Sequence, residues 1–307
     1  MASRISTVSA AAAVAVGTAF LAWSIPYVTG NPSLLSFAPD FPIRDYPFSN
    51  PFLRMVTTPE PAEDYLCRSQ SYQTEIISLD PLLIYIRNFM NPGDITALLS
   101  TAESRFERSE VIKAGRELRT ADRTSSSAGL PRDDPAVVCV INRARSFLGT
   151  MLSDGWDEMG PSQLVRYTAG QRFNIHRDWY DTPRWANDGT NRKWNRVASI
   201  FVVLQDNCTG GETHFPRVTA VSKQLGRERA QDAPDAADWK WTRDDPVWRN
   251  HEEGGLAFRP VAGNAIFWVN LHANGTGDYR VAHAGLPVGD GLKTAMNIWP
   301  RQYYASE

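Results

Sequence analysis

After Gly160 the chain breaks into short apolar or alternating runs, each closed by Gly, Pro, Asn or Asp. They are Leu164–Tyr167, Phe173–His176, Val197–Leu204, Leu256–Arg259, Ala265–Val269, Val281–Ala284 and Thr294–Trp299. Runs this short cannot form helices of useful length, so they read as strands. Two helical patterns come before them. Asn91-Pro92-Gly93-Asp94 is a helix entry, followed by Ile95, Leu98, Leu99, Ala102 and Phe106 at helical spacing. A second helix is predicted from Pro135 to Leu152, with Val138, Ile141, Arg145, Leu148 and Leu152 on one stripe and Pro135 in its first turn. Helices first and many short strands after predict an α+β chain, a β-sandwich or jelly roll with helices packed on one sheet.

Charge divides the chain. Arg4 is the only charged side chain between Met1 and Pro39. Ile5–Val28 holds 24 residues without a charge, near the roughly 20 that a helix needs to span a bilayer. Trp23 and Tyr27 lie at its end, where aromatic rings favour the interface. Residues 1–30 are therefore expected to form a hydrophobic helix. It would be either the signal-anchor of a single-pass type II membrane protein or a signal peptide cleaved near Val28-Thr29-Gly30, which would leave a secreted domain. A buried helix of the domain is the third reading. Both of the first two readings predict the endoplasmic reticulum or another secretory-pathway compartment. Seven prolines between Asn31 and Pro61 make residues 31–79 a stalk or linker, which leaves 80–307 as the domain. Within it, 218–254 is a charged insertion between strands, a lid or a plain solvated loop.

The remaining composition narrows the chemistry. Cys67, Cys139 and Cys208 form no CxxC pair, which argues against a finger-type zinc site. Cys139, on the second helix, reads as an inert core thiol, although in an oxidising lumen two of the three cysteines could pair. A net charge of -2 with a pI near 6.2 gives no electrostatic footprint for nucleic acid.

Asn174-Ile175-His176-Arg177-Asp178 contains His-x-Asp. On a strand, residues two apart point to the same face, so an imidazole and a carboxylate would converge. That is two-thirds of a 2-His-1-carboxylate site for non-haem Fe(II). By itself the motif is weak, since most such pairs are surface hydrogen bonds. Four other histidines are available as a third ligand. His251 lies in the insertion and reads as too mobile. His214 follows a Gly-Gly-Glu-Thr turn and reads as a surface or substrate-lining residue. His272 sits just after a strand, and His283 lies in a short apolar strand ended by Gly and Pro. Lys293 adjoins an apolar run; a lysine inside a barrel is costly unless it meets an anion, such as a dicarboxylate.

Together these pieces resemble the prolyl 4-hydroxylase branch of the 2-oxoglutarate- and Fe(II)-dependent dioxygenases. The resemblance runs from about Asp80 to Tyr303. It is carried by LVRYTAGQRFNIHRDWY at 164–180, NRVASIFVVLQD at 195–206, GGETHFP at 210–216, GLAFRPVAGNAIFW at 255–268 and VAHAGLPVGDGLKTAMNIW at 281–299. It implies a double-stranded β-helix (jelly-roll) core. It also implies Fe(II), 2-oxoglutarate and O2 as cofactor and co-substrates, with L-ascorbate as a helper. His176, Asp178 and His283 would hold the iron; the HAG-PV context and the ten-residue step to Lys293 favour His283 over His272. Lys293 would pair with the distal carboxylate of 2-oxoglutarate, with Tyr167 near it. Thr213 and Trp299 would line the same pocket, and Arg196 would face the substrate.

The implied reaction is hydroxylation of an unactivated C–H, with a prolyl peptide as the first substrate reading and a small-molecule natural product as the second. A non-catalytic jelly-roll binding protein is a third reading, which an intact ligand set and lysine oppose. Two features depart from the family pattern: the insertion 218–254, which lengthens the gap between the two ligand strands, and the Trp-rich segment around Trp179, Trp185 and Trp194, at the expected substrate entrance.

Overall fold

The structure is a computed structural model; it describes residues 65–113, 116–118, 120–152, 157–221 and 246–304, all within the compact unit Pro61–Glu307. The predicted N-terminal helix lies outside the described residues. Among the described residues no helix is long and apolar enough to cross a membrane.

The domain is rich in sheet and poor in helix. A large antiparallel sheet orders its strands Gln73–Leu79, Leu82–Arg87, Ala265–Val269, Ala198–Gly210, Val288–Ile298, Gln163–Thr168, Ser126–Gly129 and Glu107–Arg108. A smaller antiparallel sheet orders Trp248–Asn250, Leu256–Phe258, Thr213–Phe215, His283–Gly285 and Phe173–His176. A third sheet joins Arg184–Trp185, Lys193–Arg196, Pro300–Tyr304 and Asp157–Met159.

Side-chain alternation divides the core in two. Ile200, Val202, Leu204, Met296 and Ile298 face two helices across one side of the large sheet. Phe201, Ala295, Val165, Tyr167 and Trp268 face the small sheet across the other, where they meet Phe215, Leu256 and Phe258. The Phe215 and Trp268 rings bridge the sheets with centroids 5.2 Å apart. Because both faces of Ala198–Gly210 are covered, its first half is buried and Ile200 to Leu204 reads as an unbroken apolar run.

Helix α1 spans Pro92–Ala102 and α2 spans Pro135–Leu148. Asn91 and Asp94 form a capping box at the start of α1, and Asp134 caps α2 through the amides of Ala136 and Val137. Asp94 also accepts from Arg143 at 2.6 Å and from the Tyr65 hydroxyl at 2.6 Å, which ties the two helices together in the interior. The buried stripe of α2 differs from the predicted one. It runs through Ala136, Val137, Cys139, Val140, Arg143, Ala144 and Leu148, while Val138 and Arg145 are exposed. The helix has rotated to bury Arg143 against Asp94.

Four further differences matter. Gln73–Leu79 is the edge strand of the large sheet, so the fold reaches back into the predicted stalk 31–79. Cys139 is not an inert thiol; it is disulfide-bonded to Cys67, with Cα atoms 5.7 Å apart. Trp248–Asn250, at the end of the predicted insertion, is a strand of the small sheet; residues 222–245 lie outside the described residues. The expected strand Val281–Ala284 is a 3-10 turn, Tyr279–Val281, followed by the strand His283–Gly285.

Candidate metal and co-substrate site

His176 ends one strand of the small sheet and His283 begins the neighbouring one, in register across the ladder. Asp178 lies two residues beyond the strand, not on it as the His-x-Asp spacing suggests. It is held by a polar clasp. The Asn195 side chain accepts from the Tyr180 amide at 2.9 Å and donates to the Tyr180 carbonyl at 2.8 Å, replacing the ladder that the backbone has left. One ligand atom from each of His176, Asp178 and His283 lies within 4.8 Å of the others.

Hydrogen bonds orient these three side chains. His176 Nδ1 lies 2.9 Å from the Asn174 carbonyl, and His283 Nδ1 lies 3.1 Å from the Val281 carbonyl. A carbonyl can only accept, so both Nδ1 atoms carry the proton and both Nε2 lone pairs are free. Asp178 Oδ2 accepts from Ser199 Oγ at 2.6 Å and from Trp299 Nε1 at 3.1 Å, which leaves Oδ1 open, 3.9 Å from His176 Nε2. Burial, with the facing His283, pushes the His176 pKa down and keeps the ring neutral. Burial pushes Asp178 up, but the facing imidazoles and the Arg196 guanidinium outweigh it and hold its pKa low. Two imidazoles and one carboxylate on one side of a point suit a divalent iron with open positions on the other side.

Next to this point is an inner cavity lined by Tyr167, Thr213, Phe201, His176, His283 and Lys293. Lys293 is 2% exposed. Its Nζ donates to the Gly211 carbonyl at 2.6 Å and lies 3.4 Å from Thr213 Oγ1. No described carboxylate lies within ion-pair distance, and burial pushes the lysine pKa down to about 8. Gly211 has φ +68°, and a Cβ there would meet Val288 at 3.0 Å, so a glycine is required to turn this carbonyl inward. Tyr167 stands opposite Lys293 in the neighbouring strand. A buried ammonium without a described counter-ion, in one cavity with the two histidines of a metal-ligand cluster, fits a co-substrate that carries an anionic end.

The remaining predicted residues are distributed differently. Arg196 lies in an outer cleft, its Nη1 3.2 Å from the Asp178 carbonyl and its guanidinium 3.7 Å above the Trp299 ring. Trp299 lines that outer cleft and supports Asp178, instead of lining the inner cavity. It has the parity of Lys293, but it lies six residues on, just past the strand's end at Ile298 and beyond the cavity. His214 is neither a surface nor a cavity residue: it is buried on the opposite face from Thr213, its Nε2 2.8 Å from the Gly254 carbonyl. His251 is described and ordered by contact; its ring stacks on His214 at 3.9 Å. His272 lies 3.9 Å from Asp278, away from the cluster. Of the three tryptophans at the entrance, Trp179 and Trp194 are buried anchors and Trp185 is exposed.

Three contributors escape sequence reading. Phe173 stacks on the His176 ring at 3.6 Å. Arg123 lies 4.8 Å from the Phe173 ring and lines both the cavity and the cleft. Ser199 escapes as well, because one serine in an apolar strand carries no local signal.

Residues 162–301 match the family model of the 2OG-Fe(II) oxygenase superfamily. The chain is 26% identical over 243 residues to prolyl 4-hydroxylase 1 of Arabidopsis thaliana, covering 77% of this chain and 75% of that one. It is 26% identical over 235 residues to the human prolyl 4-hydroxylase subunit alpha-3, covering 76% of this chain and 36% of that one. Among solved structures, the viral collagen prolyl hydroxylase of Paramecium Bursaria Chlorella virus-1, in its 2OG complex, aligns with a TM-score of 0.48 at 21% identity, covering 77% of this chain and 99% of that one.

Proposed function

We propose that the chain is a 2OG-Fe(II) oxygenase, on the match of its residues 162–301 to that family model, and that it hydroxylates peptidyl proline in the manner of a prolyl 4-hydroxylase. His176, Asp178 and His283 hold Fe(II). Lys293, with Tyr167 and Thr213 beside it, receives the distal carboxylate of 2-oxoglutarate. When bound, iron and 2-oxoglutarate supply the oxidising chemistry, with O2 as oxidant and L-ascorbate as a helper that keeps the iron reduced. The protein fixes the ligand geometry, buries the anion and excludes water from the inner cavity. Arg196, stacked on Trp299 at the mouth of the cleft, faces the substrate. The sandwich of large and small sheets that holds these parts is read as the double-stranded β-helix of this superfamily.

One observation carries the reading: the two histidines of the metal cluster and Lys293, which has no described carboxylate beside it, line a single cavity. The relatives named prolyl 4-hydroxylase support the choice of substrate. The test incubates the full chain with Fe(II), 2-oxoglutarate, ascorbate and a proline-rich peptide panel, alongside a metabolite extract. A one-oxygen mass gain on a prolyl peptide, matched by succinate, supports the proposal. A gain confined to a metabolite moves the substrate to a small-molecule natural product. Bound iron with no succinate in any mixture returns the chain to a binding role.

The same proposal extends to location. The uncharged segment Ile5–Val28 and the Cys67–Cys139 disulfide both support an oxidising, secretory-pathway compartment. Carbonate extraction of the full-length protein separates the anchored form from one released after signal cleavage.

A further inference from the structure

Lys293 takes its two oxygen contacts from residues that flank Glu212: the Gly211 carbonyl and the Thr213 hydroxyl. Alternation along the chain turns Glu212 away from the cavity, to the face that also carries His214. There Glu212 meets Arg249. Arg249 Nε donates to Glu212 Oε1 at 2.8 Å, and Nη2 donates to Oε2 at 2.7 Å. Glu212 is 1% exposed and Arg249 6%. Arg249 lies two strands away, with Leu256–Phe258 between. Arg249 and His214 both stand across from Ala257, whose methyl group leaves room for the guanidinium to reach over.

This is a two-bond, charge-assisted contact whose planar fork fixes the carboxylate in orientation as well as position. The Glu212 backbone is also restrained, since its carbonyl accepts from the Leu286 amide at 2.9 Å. The base of the charged segment therefore grips the short stretch that supplies the walls of the lysine pocket. The grip also occupies the Glu212 carboxylate, which with the Cys208 thiol is one of two described acidic groups that act on Lys293. With both Glu212 oxygens bound to Arg249, the lysine is left for an incoming anion.

We propose that Arg249 is a positioning residue for the anion subsite: its clamp on Glu212 sets the Gly211 carbonyl and the Thr213 hydroxyl against Lys293 and keeps the Glu212 carboxylate from competing with the co-substrate. This rests on the reading that Lys293 receives the distal carboxylate of 2-oxoglutarate. The clamp acts on that end of the molecule and leaves the metal-facing end untouched.

The experiment titrates the full chain, loaded with redox-silent Mn(II), with 2-oxoglutarate and with pyruvate, which lacks the distal carboxylate, by calorimetry. In Arg249→Met the Kd for 2-oxoglutarate rises by about tenfold or more, the scale of one lost hydrogen bond to a charged group, and the Kd for pyruvate is unchanged. Arg249→Lys, which restores the charge without the fork, recovers part of the loss. An unchanged 2-oxoglutarate Kd in folded Arg249→Met overturns the proposal, as does an equal loss for both ligands. If Arg249→Met does not fold, Glu212→Gln keeps the shape and weakens the clamp. It too must lose 2-oxoglutarate affinity selectively, and a wild-type Kd in that variant overturns the proposal. If the wild-type protein binds 2-oxoglutarate no more tightly than pyruvate, the Lys293 reading fails and the clamp falls with it.

Discussion

His283 stands directly across from His176 in the antiparallel ladder of the small sheet, and their rings lie 4.3 Å apart. One step of backbone pairing thus sets the separation of two ligands from distant parts of the chain. Asp178 joins them from a loop clasped by Asn195. Removing any of the three leaves a two-ligand site. In His176→Ala and Asp178→Ala, bound iron and turnover are both lost, as measured by metal content and succinate release. Full activity in either variant refutes the ligand assignment.

Ser199 supplies the shorter of the two hydrogen bonds to Asp178 Oδ2. It also accepts from Asn270 Nδ2 at 3.0 Å, so its own rotamer is held. Ser199→Ala leaves Trp299 as the remaining donor to that oxygen. Groups that orient metal ligands are worth about 10–100-fold in metal affinity or activity. A competitive chelator titration of Ser199→Ala should show a loss on that scale, with melting close to wild type. An unchanged affinity would mean that Trp299 alone orients the carboxylate.

The pH dependence of co-substrate binding follows from Lys293, whose pKa burial depresses to about 8. Below that pH the subsite is cationic; above it the amine is neutral and loses its hold on a carboxylate. Affinity for 2-oxoglutarate should therefore fall as pH rises past about 8, while affinity for pyruvate does not follow. The same group affects stability in the ligand-free protein. Between about 8 and the ordinary 10.5 the unfolded chain binds more protons than the folded one, so this group's contribution to stability rises with pH through that window. In Lys293→Ala the 2-oxoglutarate requirement rises and the pH step disappears. A step that persists in the variant assigns it to another group.

The Cys67–Cys139 disulfide closes a stretch with a sequence separation of 72 residues. Its removal in Cys67→Ser should cost about 2–5 kcal/mol of stability. Denaturant unfolding with and without reductant checks this. Reductant should shift wild type to the midpoint of the variant and leave the variant unmoved.

Legibility in the sequence tracked how local the cause was. Phe173–His176 and Ala265–Val269 coincide with their apolar runs, because pattern and boundary residues lie within the runs themselves. The α1 entry is legible for the same reason, since Asn91, Pro92 and Asp94 form the whole cap. Gln73–Leu79 was hidden by the proline-rich stretch before it, and its strand state comes from pairing with Leu82–Arg87. Trp248–Asn250 has no strand signal of its own and is made a strand by Leu256–Phe258. At the site, His176 and Asp178 could be picked out by type and spacing, whereas His283 was separated from His272 only by the family resemblance. Which cavity Trp299 serves depended on how far the strand runs beyond Lys293. Arg123 sits in a polar stretch that says nothing of its contact with Phe173. The partner of Cys139 likewise needed the third dimension.

The position of that disulfide bears on how the domain carries force. Cys67 lies six residues before the edge strand Gln73–Leu79, and its sulfur is bonded to α2. Tension applied along the chain from the N-terminal side reaches Cys67 first. It passes through a covalent bond into α2 and the helical layer, and the edge strand is bypassed. Without the bond, the same pull would act on the ladder between Gln73–Leu79 and Leu82–Arg87, opening its hydrogen bonds one after another from an exposed end. The staple thus makes the mechanical strength of the domain that of its packed interior instead of its weakest margin.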